Sequence, residues 1–135
     1  MSINWEKLRN GTDIRGVALE GIEGEKVNLT EDGAKILGAS FVTWLSGKKN
    51  KNINKLKVSV GTDSRISATK LKRAVIEGLT SLGCNVYDCN MASTPAMFMT
   101  TVLEEYNSDG AIMITASHLP FNRNGFKFFT NEGGV

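Results

Sequence analysis

The sequence predicts an α/β fold built on a mixed sheet with helices on both faces. Three observations lead there: three amphipathic stretches of helical period, four short runs of β-forming residues, and the alternation of the two along the chain. Strand, helix, strand, helix, strand with helix-sized crossovers reads as consecutive βαβ units, whose parallel strands are buried on both faces. A length of 135 residues corresponds to one domain at about 150 residues per domain, so a two-domain reading is excluded. With 41% hydrophobic residues and 14 glycines the composition is globular, and a core can form.

The amino-terminal thirty or so residues carry the weakest pattern: 15–18 and 25–28 read as a hairpin around residues 20–24. Trp5 reads either as a hydrophobic staple or as a side chain packing on a neighbouring domain. Residues 31–48 place Ala34, Leu37, Phe41, Trp44 and Leu45 at helical spacing, with Thr30 as N-cap and Glu31 and Asp32 in the first turn. A strand at 57–60 follows, then a helix after Ser67 with Leu71, Val75, Leu79 and Leu82 on one side and Gly83 as its stop. Beyond a strand at 85–89, a third helix has Thr94 as cap, Pro95 at the first helical position and Met99, Val102, Leu103 and Tyr106 on its apolar side. Met91, Met97, Phe98 and Met99 read as core filling, with an interdomain face as the alternative. The last strands are 110–115 and 126–130. Only about ten residues separate them, too few for a helical crossover, so the final strand runs antiparallel to its neighbour and the four-stranded sheet is mixed.

Several function classes drop out. Sixteen Lys and Arg against fourteen Asp and Glu leave a net charge of +2, too balanced to predict a nucleic-acid or membrane-surface partner. No segment reaches the roughly eighteen apolar residues of a spanning helix and the first residues lack a signal-peptide core, so a cytoplasmic location is expected. The two cysteines, Cys84 and Cys89, are too few for a disulfide scaffold and lack C-x2-C zinc spacing, which leaves buried, reduced thiols. Gly-x-Gly-x-x-Gly and Walker patterns are absent. Asp13, Asp63 and Asp109 stand singly, without the Asp-x-Asp spacing of a magnesium site.

In an α/β sheet ligands bind beyond the carboxyl ends of the strands, which directs attention to residues 61–67, 90–94 and 116–124. The first of these opens on Gly61-Thr62-Asp63-Ser64-Arg65, a G-T-D-x-R pattern that also occurs as Gly11-Thr12-Asp13-Ile14-Arg15. Glycine supplies an unusual backbone angle, Thr and Asp bond nearby N–H groups, and Arg presents a planar fork for carboxylate or phosphate. For the second copy a turn locked by its own Asp–Arg pair is the favoured reading. The loop after the third strand crowds Ser117, the single histidine His118, Arg123, Asn122, Asn124 and Lys127 together. A hydrolase triad does not fit: Ser117 and His118 are adjacent, no second histidine can serve as base, and the G-x-S-x-G elbow is missing. A phosphorylated Ser117 fits better, because Arg15, His118, Arg123 and Lys127 offer counter-charge to a group carrying about two negative charges. Asn124-Gly125 reads equally as part of this site or as the tight turn before the last strand.

These motifs resemble those of the α-D-phosphohexomutases, the phosphoglucomutase and phosphomannomutase family. Thr115-Ala116-Ser117-His118-Leu119-Pro120 and Asn124-Gly125-Phe126-Lys127 are similar to the family's phosphoserine loop, T-A-S-H-N-P followed by N-G-x-K, at the same internal spacing. Gly11 to Gly16 resemble its G-T-D-x-R-G, Gly61 to Arg65 its G-x-D-x-R, and Thr94-Pro95 its T-P loop, all in the family's order. Leu119 stands where asparagine is common in that family, so an amide donor is lost at that position while the nucleophile is left intact.

The resemblance implies a three-layer α/β/α domain, the first of four, with the magnesium, sugar-selecting and carboxy-terminal phosphate-binding loops in the later domains, its partners in the whole protein. It implies that Ser117 is phosphorylated, passes its phosphoryl group to a hexose phosphate and recovers one through a hexose 1,6-bisphosphate intermediate. Arg15 would bind the transferring phosphoryl, His118 and Lys127 would act as acid and base, and Asn124 would join Arg15 and Lys127 in holding substrate. Mg2+ would take one ligand here, a phosphoserine oxygen of Ser117. These residues alone, as a piece of a longer protein, would lack mutase activity. The competing reading is a non-catalytic module that binds sugar phosphate or another protein; a downstream three-Asp loop in frame discriminates against it. Positions that distinguish glucose, mannose and glucosamine phosphates are not among these residues.

Overall fold

The computed structural model describes residues 3–10, 13–115 and 119–135. In chain order the elements are α1 (Trp5–Leu8), β1 (Arg9–Asn10), β2 (Asp13–Val17), α2 (Glu31–Lys49), a 3-10 turn (Ile53–Lys55), β3 (Lys57–Thr62), α3 (Ala68–Ser81), β4 (Asn85–Met91), α4 (Thr94–Val102), β5 (Gly110–Ile114), β6 (Arg123–Thr130) and β7 (Gly133–Gly134). They form one sheet of order β1-β2-β6-β5-β3-β4, with β7 also on β6. β3 lies parallel to β4 and β5, whereas β6 runs antiparallel to β5 and β2. The expected mixed sheet is therefore present, and its four expected strands are β3 to β6. Among the described residues β1, β2 and β7 widen it to seven.

The hairpin expected at the amino-terminal end is replaced by a different pairing. β2 pairs with β6, and residues 25–28 form no strand. The reason lies in Asn28: its side-chain Oδ1 accepts the Val17 N–H at 2.7 Å, taking the donor a strand partner would use. Two backbone bonds, from Asn28 and Leu29 N–H to the Val17 carbonyl, complete the crossing.

α2 forms where its signals place it. Thr30 Oγ1 accepts the Gly33 N–H at 3.0 Å, acidic residues occupy the first turn, lysines occupy the last, and Asn50 ends the helix in the left-handed region. Ala34, Phe41, Val42 and Leu45 are buried; Trp44, expected beside them, sits at the rim against Phe41 and is largely exposed. α3 buries Leu71, Val75 and Leu79 as expected, while Leu82, already past its last turn, is exposed. Both helices cover one sheet face, joined to Val58, Val60, Ile112, Ile114 and Phe126 in the main core.

α4 covers the opposite face and differs most from expectation. Its cap is Ser93, whose hydroxyl accepts the Ala96 N–H at 3.2 Å, and Thr94 is already helical. Its buried residues are Met97, Thr100 and Thr101, whereas Met99, Val102 and Leu103 are exposed. Met97 lies directly over Gly61, where a Cβ would collide with its sulfur, and joins Ala111 and Met113 in a small second core. The two threonines return their hydroxyls to carbonyls of their own helix, Met97 and Phe98, and so enter the interior with no unmet donor. Thus the methionine group is mostly surface: Met91 is 70% exposed, and Met97 alone of the three is fully buried. The three-layer α/β/α architecture results. Among the described residues no helix is long and apolar enough to cross a membrane.

Candidate active site

The carboxyl ends of β3 and β5, the start of β6 and the end of β2 meet at one edge of the sheet, as their parallel and antiparallel pairings require. Gly125 is the point of convergence. A Cβ there would lie 2.5 Å from the Ile14 carbonyl oxygen, 2.9 Å from Arg15 Cγ and 3.1 Å from the Thr115 carbonyl oxygen. Three segments can approach so closely only around a residue without a side chain. Asn124 and Gly125 are consequently interior positions of β6, not a turn before it.

Arg15 and Lys127 arrive from two strands onto one carboxylate. Lys127 Nζ donates to Asp13 Oδ2 at 2.7 Å, and Arg15 Nη2 approaches the same oxygen at 3.4 Å. All three side chains are mostly buried, and the Arg15 Nε–H has no hydrogen-bond partner among the described residues. Since Arg15 faces Gly125 across the ladder and the Gly125 carbonyl accepts the Thr115 N–H at 2.9 Å, this cationic pair lies beside the start of the loop that holds Ser117. Ala116, Ser117 and His118 themselves, with Gly11 and Thr12 of the first motif, lie outside the described residues.

The second G-T-D-x-R copy is locked by its own Asp–Arg pair, with Arg65 Nε 3.4 Å from Asp63 Oδ2, and it also reaches outward. Asp63 Oδ1 accepts the Arg65 N–H at 3.1 Å, and Asp63 Oδ2 accepts the Thr115 hydroxyl at 2.6 Å. The Arg65 guanidinium donates to the Pro120 carbonyl at 2.8 Å and to that of Arg123 at 3.3 Å.

Of the cations expected to gather, Arg15 and Lys127 do so. Arg123 instead binds Glu25 Oε1 at 2.8 Å, a carboxylate that also accepts from Asn122, and thereby ties the segment after β2 to β6. Asn124 is fully buried: its amide donates to Ser67 Oγ at 2.7 Å and its oxygen accepts the Gly125 N–H, so both ends of the side chain are engaged within the protein. The structure adds Asp13, Asp63 and Thr115 to these side chains; the two aspartates stand singly in sequence, and the signal that marks them is the repeated G-T-D-x-R itself.

No group of three or more His, Cys, Asp and Glu residues able to hold a metal ion occurs among the described residues. Asp13 and Asp63 are each committed to a cation, so they do not make up a magnesium site. A groove of about 570 Å3 between β4 and α4, floored by Tyr87, Cys89, Met97, Met99 and Leu103, shares no residue with this site.

Comparison with known proteins agrees with this architecture. Residues 6–135 match the family described as phosphoglucomutase/phosphomannomutase, alpha/beta/alpha domain I. The chain is 39% identical over 127 residues to a phosphoglucomutase/phosphomannomutase of Thermococcus kodakarensis, covering 94% of this chain and 25% of that protein. It is 37% identical over 124 residues to a phosphoglucosamine mutase of Ruminiclostridium cellulolyticum, again covering 25% of the relative. A crystal structure of a phosphoglucomutase/phosphomannomutase family protein from Burkholderia thailandensis superposes with a TM-score of 0.69 at 30% identity, over 87% of this chain and 24% of that one. The chain thus spans about a quarter of the length of the relatives it matches.

Proposed function

The chain belongs to the phosphoglucomutase/phosphomannomutase family as its alpha/beta/alpha domain I, and from that premise we propose that it supplies the nucleophile domain of a mutase that interconverts hexose 1-phosphate and 6-phosphate. The supporting observation is the convergence of Arg15 and Lys127 on Asp13, next to the start of the loop that holds Ser117. Phosphoryl transfer asks a protein chiefly for positioning and for cations aimed at the transferring oxygens, and two held side by side meet that demand.

In this proposal phosphorylated Ser117 gives its phosphoryl group to a free hydroxyl of the hexose phosphate. The bond from phosphorus to the serine oxygen breaks as one to the sugar oxygen forms, yielding hexose 1,6-bisphosphate. Lys127 and His118 exchange the proton that leaves the sugar hydroxyl and the one taken up by the serine oxygen. Arg15 neutralises the phosphoryl oxygens, its unpartnered Nε–H adding to the outer nitrogens of the fork. After the bisphosphate turns round, the second phosphoryl group returns to Ser117 by the reverse step and the isomeric monophosphate leaves. Asn124, whose amide is spent on Ser67 and Gly125, holds β6 to the start of α3; substrate contact falls to Arg15 and Lys127.

The test uses the full-length protein. Incubated with hexose 1,6-bisphosphate labelled in its phosphates and then digested, it is expected to carry label on the Ser117 peptide, and Ser117→Ala is expected to abolish conversion of hexose 1-phosphate to 6-phosphate. Conversion that survives in Ser117→Ala would refute the proposal.

A further inference from the structure

Phosphoryl transfer as described uses Arg15, His118, Lys127 and Ser117, and leaves unexplained the hydrogen bonds that run from the end of β3 to both flanks of the Ser117 loop. On the amino-terminal flank, the Thr115 hydroxyl donates to Asp63 Oδ2 at 2.6 Å. On the carboxy-terminal flank, Arg65 Nη1 donates to the Pro120 carbonyl at 2.8 Å and to the Arg123 carbonyl at 3.3 Å. Asp63 and Arg65 are themselves tied, through the Arg65 N–H to Asp63 Oδ1 at 3.1 Å and through their side chains at 3.4 Å. One turn therefore grips the chain on both sides of the loop, at Thr115 before it and at Pro120 and Arg123 after it.

The sheet restrains this segment only at its ends, through the Thr115 N–H on the Gly125 carbonyl and the Ala18 and Leu19 N–H groups on the Asn122 carbonyl, because β5 ends at Ile114 and β6 begins at Arg123. Bonds at the ends of a segment between two strands help to set where it runs, and transfer between oxygens requires the reacting atoms to be held about 3 to 3.5 Å apart and in line. The residue types suit the task. A carboxylate accepts the threonine hydroxyl in a short charge-assisted bond, and a guanidinium spans two carbonyls in one plane where an ammonium offers a point charge. The Arg65 side chain is largely buried, while the Pro120 carbonyl it binds is exposed and that of Arg123 is partly buried.

We propose that Asp63 and Arg65 are positioning residues that set the placement of the Ser117 loop against Arg15 and Lys127. The two G-T-D-x-R copies then divide the work: the first holds the cations that meet the phosphoryl group, and the second holds the chain that carries it. This inference rests on Ser117 as the nucleophile.

The test compares Thr115→Val, Thr115→Ser and Arg65→Lys in the full-length protein, by steady-state kinetics with hexose 1-phosphate, by thermal unfolding and by mass spectrometry of the Ser117 peptide. Thr115→Val is expected to lower kcat up to ~100-fold with little change in KM, the cost of misplacing a reacting group. Thr115→Ser restores the hydroxyl and is expected to recover most of that loss, and Arg65→Lys to lower kcat without recovery. Unchanged kcat in Thr115→Val, or Thr115→Ser falling as far as Thr115→Val, overturns the inference. Should Thr115→Val fail to fold, Arg65→Lys decides the matter: wild-type kcat, or a loss of activity that only follows loss of folded protein, overturns it. A wild-type enzyme that turns over with no phosphate on Ser117 sinks the nucleophile reading and this inference with it; phosphate on Ser117 with indifferent variants sinks this inference alone.

Discussion

Asp13 accepts both cations on a single oxygen, so its charge holds Lys127 and Arg15 in place while lowering the net positive charge offered to a phosphoryl group. Removing the lysine charge with Lys127→Met is expected to cut kcat of the full-length enzyme by about 10²- to 10⁴-fold, the range of a lost acid–base group, measured by the conversion of hexose 1-phosphate. A rate unchanged by that substitution would remove Lys127 from the chemistry. Cys84 offers a residue-scale test of folding. Burial, and secondarily the nearby Asp109 carboxylate, push its thiol from 9.0 up to about 11. A thiol pKa raised by folding means the native state keeps its proton longer than the unfolded chain, so the stability gained is whole below the unfolded value and is lost as pH rises through the native one. The gap in unfolding free energy between wild type and Cys84→Ala is therefore expected to shrink between pH 9.0 and about 11 in denaturant titrations. Parallel pH curves for the two proteins would contradict it. In the sequence, Lys127 and Arg15 stood out by charge and motif, but Asp13 and Asp63 looked isolated, since nothing local announces that Asp13 meets a lysine 114 residues away.

At the scale of elements, α2 and α3 cross in backbone contact. A Cβ on Gly38 would lie 2.5 Å from the Val75 carbonyl oxygen, and one on Gly78 would collide with the Lys35 carbonyl. Gly38→Ala gains about 1 kcal/mol of helix propensity but must push two rigid backbones apart, and overpacking of that kind typically costs about 1–3 kcal/mol. A net loss of stability is expected by urea denaturation. Gly47, on the same helix, is the control: nothing lies within 4 Å of its Cβ position, so Gly47→Ala is expected to stabilise by about 1 kcal/mol. Equal effects of the two substitutions would refute the close crossing. Periodicity found both helices because each has a polar face to contrast with its buried one. It chose the wrong face of α4, where apolar residues occur all round and the inner positions include two threonines; there the decision falls to the small residues of the sheet, Gly61 and Ala111, which admit Met97.

For the whole molecule, the reach of the chain matters most. It spans about a quarter of its relatives' length, and its described residues bring two cations and a gripped loop to one edge without a carboxylate cluster for a metal. The 135-residue chain by itself is expected to show no interconversion of hexose 1-phosphate and 6-phosphate, and the full-length protein is expected to show it; turnover by the isolated chain would mean that the proposed nucleophile domain suffices. The order of strands and helices, the antiparallel last strand and the family motifs were determined by the sequence alone, because hydrophobic period, caps and short spacings act between near neighbours. Tertiary structure alone decided that β2 joins β6, that Arg123 goes to Glu25 and not to the loop, and that the two G-T-D-x-R copies serve different partners. The physical reason is register: which side chains meet across a sheet depends on the pairing of segments far apart in the chain, and the same five-residue pattern acquires its task from the strand it is set beside.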